Sequence, residues 1–257
     1  MPDFHAGDGV RLHYRDEGAG PPIVLVHGWT MSGAFFKPQI QGLGEEFRVI
    51  APDLRGCGDS AGRPGTYQVP RYAKDLAELL DHLDLREATL VGWSMGGGIA
   101  IEYLLAHGLE RVRGVGLVDF PPKLDEDPSV ADKVCHNLAK RRETFTRDFI
   151  ARMFLAPRDD LDWMVAEALK CEASTACDMY RAMRPARGPA PYGFATLPAF
   201  LAFPPRGWFP AALDSWRNVF PRHDAPTFPA SKHCPFLEEP VAFNDALRRF
   251  VLENAPR

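Results

Sequence analysis

The stretch Gly92-Trp93-Ser94-Met95-Gly96 constrains the fold of this chain more than any other part of its sequence. An apolar run, Ala88 to Val91, precedes it, and a helix-like run, Gly97 to Ala106, follows it. A strand that enters a helix through Gly-x-Ser-x-Gly turns so tightly that the residues two before and two after the serine must be small. The pattern predicts a strained turn that presents the Ser94 hydroxyl as a nucleophile. The alternative interpretation is an ordinary loop serine.

Four short runs of mostly apolar residues, of which the first is continuously apolar, are typical of strands buried on both faces of a sheet. They cover residues 22–26, 47–51, 88–91 and 112–118, and the segment Tyr72 to Leu83 carries apolar residues at helical spacing. Strands that alternate with helices predict an α/β fold with a mostly parallel central sheet flanked by helices.

Polar and glycine-rich segments follow three successive predicted strands. They are His27-Gly28-Trp29, the stretch from Asp53 to Ser60 (Asp-x-Arg-Gly-x-Gly-x-Ser), and Gly92 to Gly97. Together with the hairpin-like opening from Asp8 to Gly20, they resemble the α/β-hydrolase superfamily. The resemblance covers about residues 4–120 and resumes at about 227–253. It implies one α/β-hydrolase domain over residues 1–257, without specifying a substrate.

A serine nucleophile needs a base, which in this family is a histidine that follows the serine and an acid in chain order. Of the eight histidines, His223 and His233 lie in the last part of the chain. His233 follows a short strand candidate and precedes a helix that has Pro240 near its first turn. This setting resembles the histidine loop of the family and favours His233 as the base. His223 is interpreted as a solvated side chain.

The triad acid is the least determined of the predicted site residues. The strand-then-Gly-x-x-Asp context that many family members use is missing, whereas Asp119 follows the apolar strand 115–118, a position used by some members. We therefore expect Asp119 to hold the histidine. Asp214, in a helix-like stretch, and Asp224, between prolines, are the rivals. A site without a direct acid, with Asp119 capping the turn at residues 120–122, also stays open.

The resemblance also implies an oxyanion hole formed by two backbone N–H groups, those of Trp29 and Met95. His27 is expected to brace the loop rather than to act chemically. Asp53 and Arg55 are expected to stabilise their loop through hydrogen bonds.

Between residues 123 and 183 the alternation stops, and Ala131 to Phe154 and Leu161 to Met183 are predicted to be helical. The resemblance implies that this insertion is a helical cap. From residue 184 to residue 229 the family pattern fails, because ten prolines fall in this window and the best strand candidate, Thr196 to Phe203, contains Pro198. A frame-shift over about residues 184–226, a divergent loop and a damaged gene product are three hypotheses for this segment.

The composition restricts the partners. The net charge is −4 with no basic cluster, so nucleic acid is not expected. No apolar stretch suits a membrane span and no signal pattern opens the chain. Five cysteines without C-x-x-C spacing favour neither zinc nor a disulfide framework, and they suggest a reducing, cytoplasmic location.

We therefore expect a serine hydrolase that needs no cofactor or metal and cleaves a small to medium apolar carboxylic ester through an acyl-enzyme. Hydrolysis of C–C bonds or perhydrolysis on the same triad is the first alternative. A hydrolase-like binding protein with an impaired site is the second. The sequence leaves the oligomeric state open.

Overall fold

The computed structural model describes residues 2–122, 127–183 and 193–254. Within them, one sheet contains eight strands: β1 Asp3–His5, β2 Arg11–Glu17, β3 Pro22–Val26, β4 Arg48–Pro52, β5 Ala88–Trp93, β6 Val112–Val118, β7 Ala199–Ala202 and β8 His223–Asp224. Their spatial order is β1-β2-β4-β3-β5-β6-β7-β8. β1 pairs antiparallel with β2, β2 pairs antiparallel with β4, and all the other pairings are parallel. The predicted fold class is confirmed.

Helices cover both faces of this sheet. Those in the described residues are α1 Lys37–Leu43, α2 Val69–His82, α3 Met95–His107, α4 Pro128–Lys140, α5 Arg142–Ala151, α6 Leu161–Ala168, α7 Ala173–Ala182, α8 Ala212–Val219, α9 Pro235–Glu238 and α10 Pro240–Glu253. Among them, none has both the length and the apolar character needed to cross a membrane.

The alternation of side chains along the strands divides the core into two layers. Leu90 of β5 packs in the layer that contains α2, α3 and α8, whereas the next residue, Val91, packs in the layer that contains α1, α9 and α10. Both residues are almost fully buried. This is why the central strands are continuously apolar rather than alternating.

The last two strands differ in part from the sequence prediction. β7 lies within the predicted Thr196–Phe203 run and begins immediately after Pro198, where a missing N–H costs no ladder hydrogen bond. The strand candidate directly before His233 is wrong. The last strand is instead the two-residue β8, and Pro226 and Pro229 lack the N–H groups that a further ladder requires.

The insertion between β6 and β7 is helical, as predicted, but each of the two predicted regions is divided. α4 ends and α5 begins at Arg141, and α6 and α7 are separated at residues 169–172. The Arg142 guanidinium joins the two breaks, because it donates to the carbonyl oxygens of Leu169 (2.6 Å) and Cys171 (2.5 Å).

The interpretation of residues 123–183 as a cap stays a prediction, and residues 123–126 lie outside the described chain. The frame-shift hypothesis also stays a hypothesis, which resequencing of the coding DNA tests. Residues 184–192 of that segment lie outside the described chain, whereas its remainder contributes β7, α8 and β8 to the fold.

The cysteine-based argument needs correction. Cys135 of α4 and Cys177 of α7 form a disulfide, while Cys57, Cys171 and Cys234 are free and buried. An odd cysteine count does not prevent one pair from meeting across two packed helices. Because disulfides are rare in a reducing cytosol, the cysteine count no longer supports a cytoplasmic location.

We predict that Cys135→Ser lowers the free energy of unfolding by about 4 kcal/mol, since the bond closes a sequence separation of 42 residues and restricts the unfolded chain. Urea unfolding without reductant measures the difference. Wild-type protein in reductant should match the variant, and the variant itself should not respond to reductant. Equal midpoints for the two proteins without reductant would show that this bond contributes nothing to stability.

Candidate active site

Ser94 lies at the junction of β5 and α3 in a backbone conformation that non-glycine residues rarely adopt, with φ 53° and ψ −123°. Close packing explains the flanking glycines. A Cβ on Gly96 would lie 2.1 Å from the carbonyl oxygen of Val26, and a Cβ on Gly92 would lie 2.2 Å from that of Gly96. The Ser94 N–H donates to the carbonyl oxygen of Val118 (2.9 Å), which ties the turn to β6.

The loop after β3 lies directly against this turn. A Cβ on Gly28 would be 3.3 Å from the Cβ of Ser94, so even the smallest side chain at this position would crowd the serine. Met95 is the first residue of α3, where N–H groups have no intrahelical acceptor. Within the described chain, the N–H groups of Met95 and Trp29 donate to no protein acceptor. Both remain available to an anion beside Ser94, and the positive end of the α3 dipole favours one there.

The Trp29 side chain ties this loop to the inserted helices. Its Nε1–H donates to the carbonyl oxygen of Ala176 in α7 (2.8 Å). Its ring also meets Phe149 of α5 and Tyr180 of α7 edge-on, at centroid distances of 5.0 and 5.2 Å. The insertion therefore helps to fix the loop that carries the Trp29 N–H.

His27 braces the same loop, as predicted. One ring nitrogen bonds the carbonyl oxygen of Gly28 (2.8 Å), and Nε2 accepts the N–H of Leu54 (2.9 Å). The ring is fully buried, and burial lowers the pKa of His27 to about 4. The histidine is therefore neutral at pH 7, the form that Nε2 needs in order to accept.

Asp53 and Arg55 form the expected loop-stabilising hydrogen bonds. The Asp53 carboxylate accepts the N–H groups of Gly33 (2.8 Å) and Asp59 (2.9 Å). Arg55 is fully buried and makes a bidentate pair with Asp75, with both N–O distances 2.6 Å. A buried guanidinium requires such pairing, so these residues have a structural role.

Asp119 and His233 meet in the buried interior, next to the strand that leads into the turn at Ser94. Asp119 follows β6 directly, and its Oδ2 lies 2.6 Å from His233 Nδ1. The side chains of the acid and the histidine are 0% and 1% exposed. Asp119 has the left-handed φ of 43°, which turns its backbone sharply away from the strand.

The rival residues lie elsewhere. Asp214 is an exposed residue of α8 that pairs with Arg217 (3.1 Å). Asp224 is an exposed residue of β8. His223 has its Nδ1 2.8 Å from the carbonyl oxygen of Phe220 rather than from a carboxylate.

The sequence interpretation missed a contribution from the loop after β7. The N–H groups of Trp208 and Phe209 donate to Asp119 Oδ2 (2.7 Å) and Oδ1 (3.0 Å). The Trp208 ring stacks on the His233 ring with a centroid distance of 3.8 Å and an interplanar angle of 11°. The available signal was Gly207-Trp208 in the loop after the strand candidate that ends at Phe203, but it lay in the proline-rich segment without family pattern.

Two main-chain hydrogen bonds position the histidine. The His233 N–H donates to the carbonyl oxygen of Met153 (2.9 Å), and the His233 carbonyl oxygen accepts the Nε1–H of Trp93 (2.9 Å). Trp93 is the residue before Ser94, so its indole links the turn at Ser94 directly to the loop of His233.

This arrangement agrees with comparisons to known proteins. Residues 21–154 match the family model for the alpha/beta hydrolase fold. The chain belongs to this family. A non-heme chloroperoxidase from Kitasatospora aureofaciens is 34% identical over 69% of this chain and 71% of its own length.

Solved structures extend the likeness to almost the whole chain. An esterase from Exiguobacterium antarcticum superposes with a TM-score of 0.90 at 24% identity, covering 97% of this α/β hydrolase and 98% of the esterase. A putative aryl esterase from Burkholderia cenocepacia has a TM-score of 0.84 at 29% identity, with 98% and 99% covered.

One group of potential metal ligands occurs within the described residues, away from Ser94. His13, Asp53 and Asp59 bring ligand atoms within 4.8 Å of one another. Arg15 already binds Asp53 (2.9 Å) and Lys170 already binds Asp59 (2.9 Å). The two carboxylates are therefore neutralised by side chains of the α/β hydrolase itself.

We predict that His27 makes stability pH-dependent in the acid range. Its pKa of about 4 in the fold is below the value of about 6.5 expected when the chain unfolds, so between these pH values only the unfolded chain binds the proton. The free energy of unfolding should fall by up to about 3 kcal/mol as the pH decreases from about 6.5 to about 4. Below about pH 4, His27 should cause no further decrease.

Urea unfolding between pH 4 and 7 tests this effect. His27→Gln should flatten that part of the stability profile, whereas His5→Gln, at an exposed histidine of β1, should leave it unchanged. If the free energy of unfolding of His27→Gln depended on pH as steeply as that of the wild type, the assignment of His27 as a neutral residue that braces the loop would be contradicted.

Proposed function

We propose that this α/β hydrolase is a cofactor-independent serine hydrolase that cleaves small to medium apolar carboxylic esters through an acyl-enzyme. The observation that carries the proposal is that a half-buried serine in a strained turn and a buried acid–histidine contact of 2.6 Å follow neighbouring strands of the sheet. This is the nucleophile–base–acid logic of serine hydrolases.

In the proposed mechanism, each group has one role. Because Asp119 holds Nδ1 of His233, the other ring nitrogen, Nε2, is left to take the proton from the Ser94 hydroxyl as that oxygen attacks the ester carbon. The N–H groups of Trp29 and Met95 stabilise the oxyanion. His233 then gives the proton to the leaving alcohol, and a water molecule activated by the same nitrogen releases the acid.

Apolar substrates are supported by the surroundings of the site. Phe149 of α5 touches both Trp29 and Trp208, with centroid distances of 5.0 and 5.5 Å, so aromatic rings connect the oxyanion side to the histidine side. Aromatic side chains in these positions favour apolar groups of a substrate. The putative aryl esterase named above is consistent with this class of substrate.

Perhydrolysis is the second candidate, because the chloroperoxidase relative is 34% identical over most of its length. In that reaction, hydrogen peroxide replaces water in the release of the acyl group and a peracid forms. Relatives named epoxide hydrolase and haloalkane dehalogenase match only 46% and 42% of this chain. Those activities use an aspartate at the turn, where this chain has Ser94. Assays of acyl transfer to peroxide and to water, on one ester, decide between the two candidates.

Ser94→Ala should abolish ester turnover and leave the fold intact. A panel of p-nitrophenyl esters of increasing acyl length measures activity, and circular dichroism checks the fold. Wild-type protein should also react covalently with a fluorophosphonate, whereas Ser94→Ala should not. A wild-type protein that neither labels nor turns over any ester would favour the binding-protein alternative. Turnover by pure Ser94→Ala above a few per cent of wild type would overturn the assigned nucleophile.

Asp119→Asn should lower kcat by roughly 10³–10⁴-fold, because the amide no longer fixes the histidine tautomer or stabilises its charged form. Asp214→Asn is the matched control and should cost less than about tenfold, since that carboxylate is exposed and paired with Arg217. For the base, His233→Ala should likewise cause a large loss of kcat, whereas His223→Ala, the matched control, should have little effect. Comparable losses within either pair would contradict the assignment.

A further inference from the structure

Trp208 is placed to act on the proposed base through its side chain and on the proposed acid through its main chain. Its N–H donates to Asp119 Oδ2 (2.7 Å), the same oxygen that contacts His233. Its indole face covers the His233 ring at 3.8 Å and 11°. Both rings therefore lie nearly parallel and in full face contact.

We propose that Trp208 is a positioning residue whose indole face stabilises the positively charged form of His233 that arises when the histidine takes the serine proton. The inference rests on the proposed function of this triad. A cation within about 6 Å of an indole face is attracted to the negative face of the ring, and tryptophan is the best of the aromatic residues for this interaction. The neutral ring gains less, so the contact favours the state formed during catalysis.

The indole is itself held in place. Phe149 of α5 packs edge-on against Trp208, with a centroid distance of 5.5 Å and an angle of 65°. Phe149 in turn meets Trp29, at 5.0 Å and 89°. Through Phe149, the inserted helices thus support both the Trp208 ring on His233 and the loop that carries the Trp29 N–H.

Other charged groups near His233 belong to separate networks. Glu238 of α9 accepts the N–H groups of Leu155 (2.6 Å) and Lys232 (2.7 Å). Arg158 pairs with Asp160 (2.7 Å), and Asp119 is the charged group in direct contact with the His233 ring. Cys234, the next residue, is buried, and burial raises the pKa of its thiol well above the ordinary value, so it stays neutral. Substitution of the Trp208 side chain removes none of these groups.

Two substitutions separate the aromatic face from the volume of the side chain. Trp208→Leu keeps an apolar cover over His233 but removes the face, whereas Trp208→Phe keeps an aromatic face. Both retain the N–H that holds Asp119. We expect Trp208→Leu to lower kcat by about 3- to 30-fold with little change in KM, and Trp208→Phe to stay within about threefold of wild type. Trp163→Leu, at a tryptophan of α6 that is 38% exposed, is the matched control and should match wild type.

The pH dependence gives a second readout that simple packing would not produce. In Trp208→Leu the acid limb of the kcat/KM profile, and the midpoint of the His233 ring titration by NMR, should move to lower pH, because the charged ring has lost a stabilising contact. Equal losses in the Leu and Phe variants, or an acid limb that stays fixed or moves to higher pH, would overturn the proposal. The NMR titration needs no substrate, so it tests Trp208 even if fluorophosphonate labelling rejects Ser94 as the nucleophile.

Discussion

The candidate site depends on the hydrogen bonds that the buried carboxylate of Asp119 accepts. A carboxylate with no exposed surface is costly unless its oxygens are hydrogen-bonded. Here the donors come from two other stretches of chain: the ring of His233, and the N–H groups of Trp208 and Phe209. The need to satisfy one charge therefore joins the end of β6, the loop after β7 and the histidine loop at one point.

A steric constraint places the turn at Ser94, the proposed nucleophile, next to this cluster of hydrogen bonds. Gly96 lies so close to the carbonyl oxygen of Val26 that the first turn of α3 rests on the end of β3. This contact places the loop from His27 to Trp29 against Ser94, while the Trp93 indole holds the carbonyl oxygen of His233. The proposed nucleophile, oxyanion loop and base are thus fixed by contacts that start from the same five-residue turn.

The sequence predicted those parts of the structure that depend on local pattern. Mostly apolar runs located β3, β4, β5 and β6, and the glycine spacing located the turn at Ser94. The position of Asp119 after β6 was readable because its strand is apolar and regular. The contact of Asp119 with His233 spans 114 residues of sequence and depends on how two distant loops pack, so the sequence left Asp214 and Asp224 open.

The parts that sequence could not predict depend on tertiary contacts. No local signal indicated that Cys135 and Cys177 would face each other from α4 and α7. Trp208 was missed because its two roles use a main-chain N–H and a ring face, neither of which requires a recognisable motif. The strand expected before His233 was wrong because apolar side chains such as Phe228 are buried there in an irregular loop rather than in a ladder.

The location of the acid also explains how a proline-rich segment can serve this site. The commoner acid position of the family follows the strand next to β6, but residues 203–211 contain no carboxylate. β6 and β7 are parallel neighbours, and the Asp119 N–H bonds the carbonyl oxygen of Ala202, so their carboxyl ends lie side by side. A carboxylate from either strand can therefore reach the same histidine. If the acid is Asp119 after β6, as proposed, the loop after β7 supplies hydrogen-bond donors instead of a carboxylate. Prolines on both sides of Gly207 to Phe209 restrict that loop, which keeps its two N–H groups directed at Asp119.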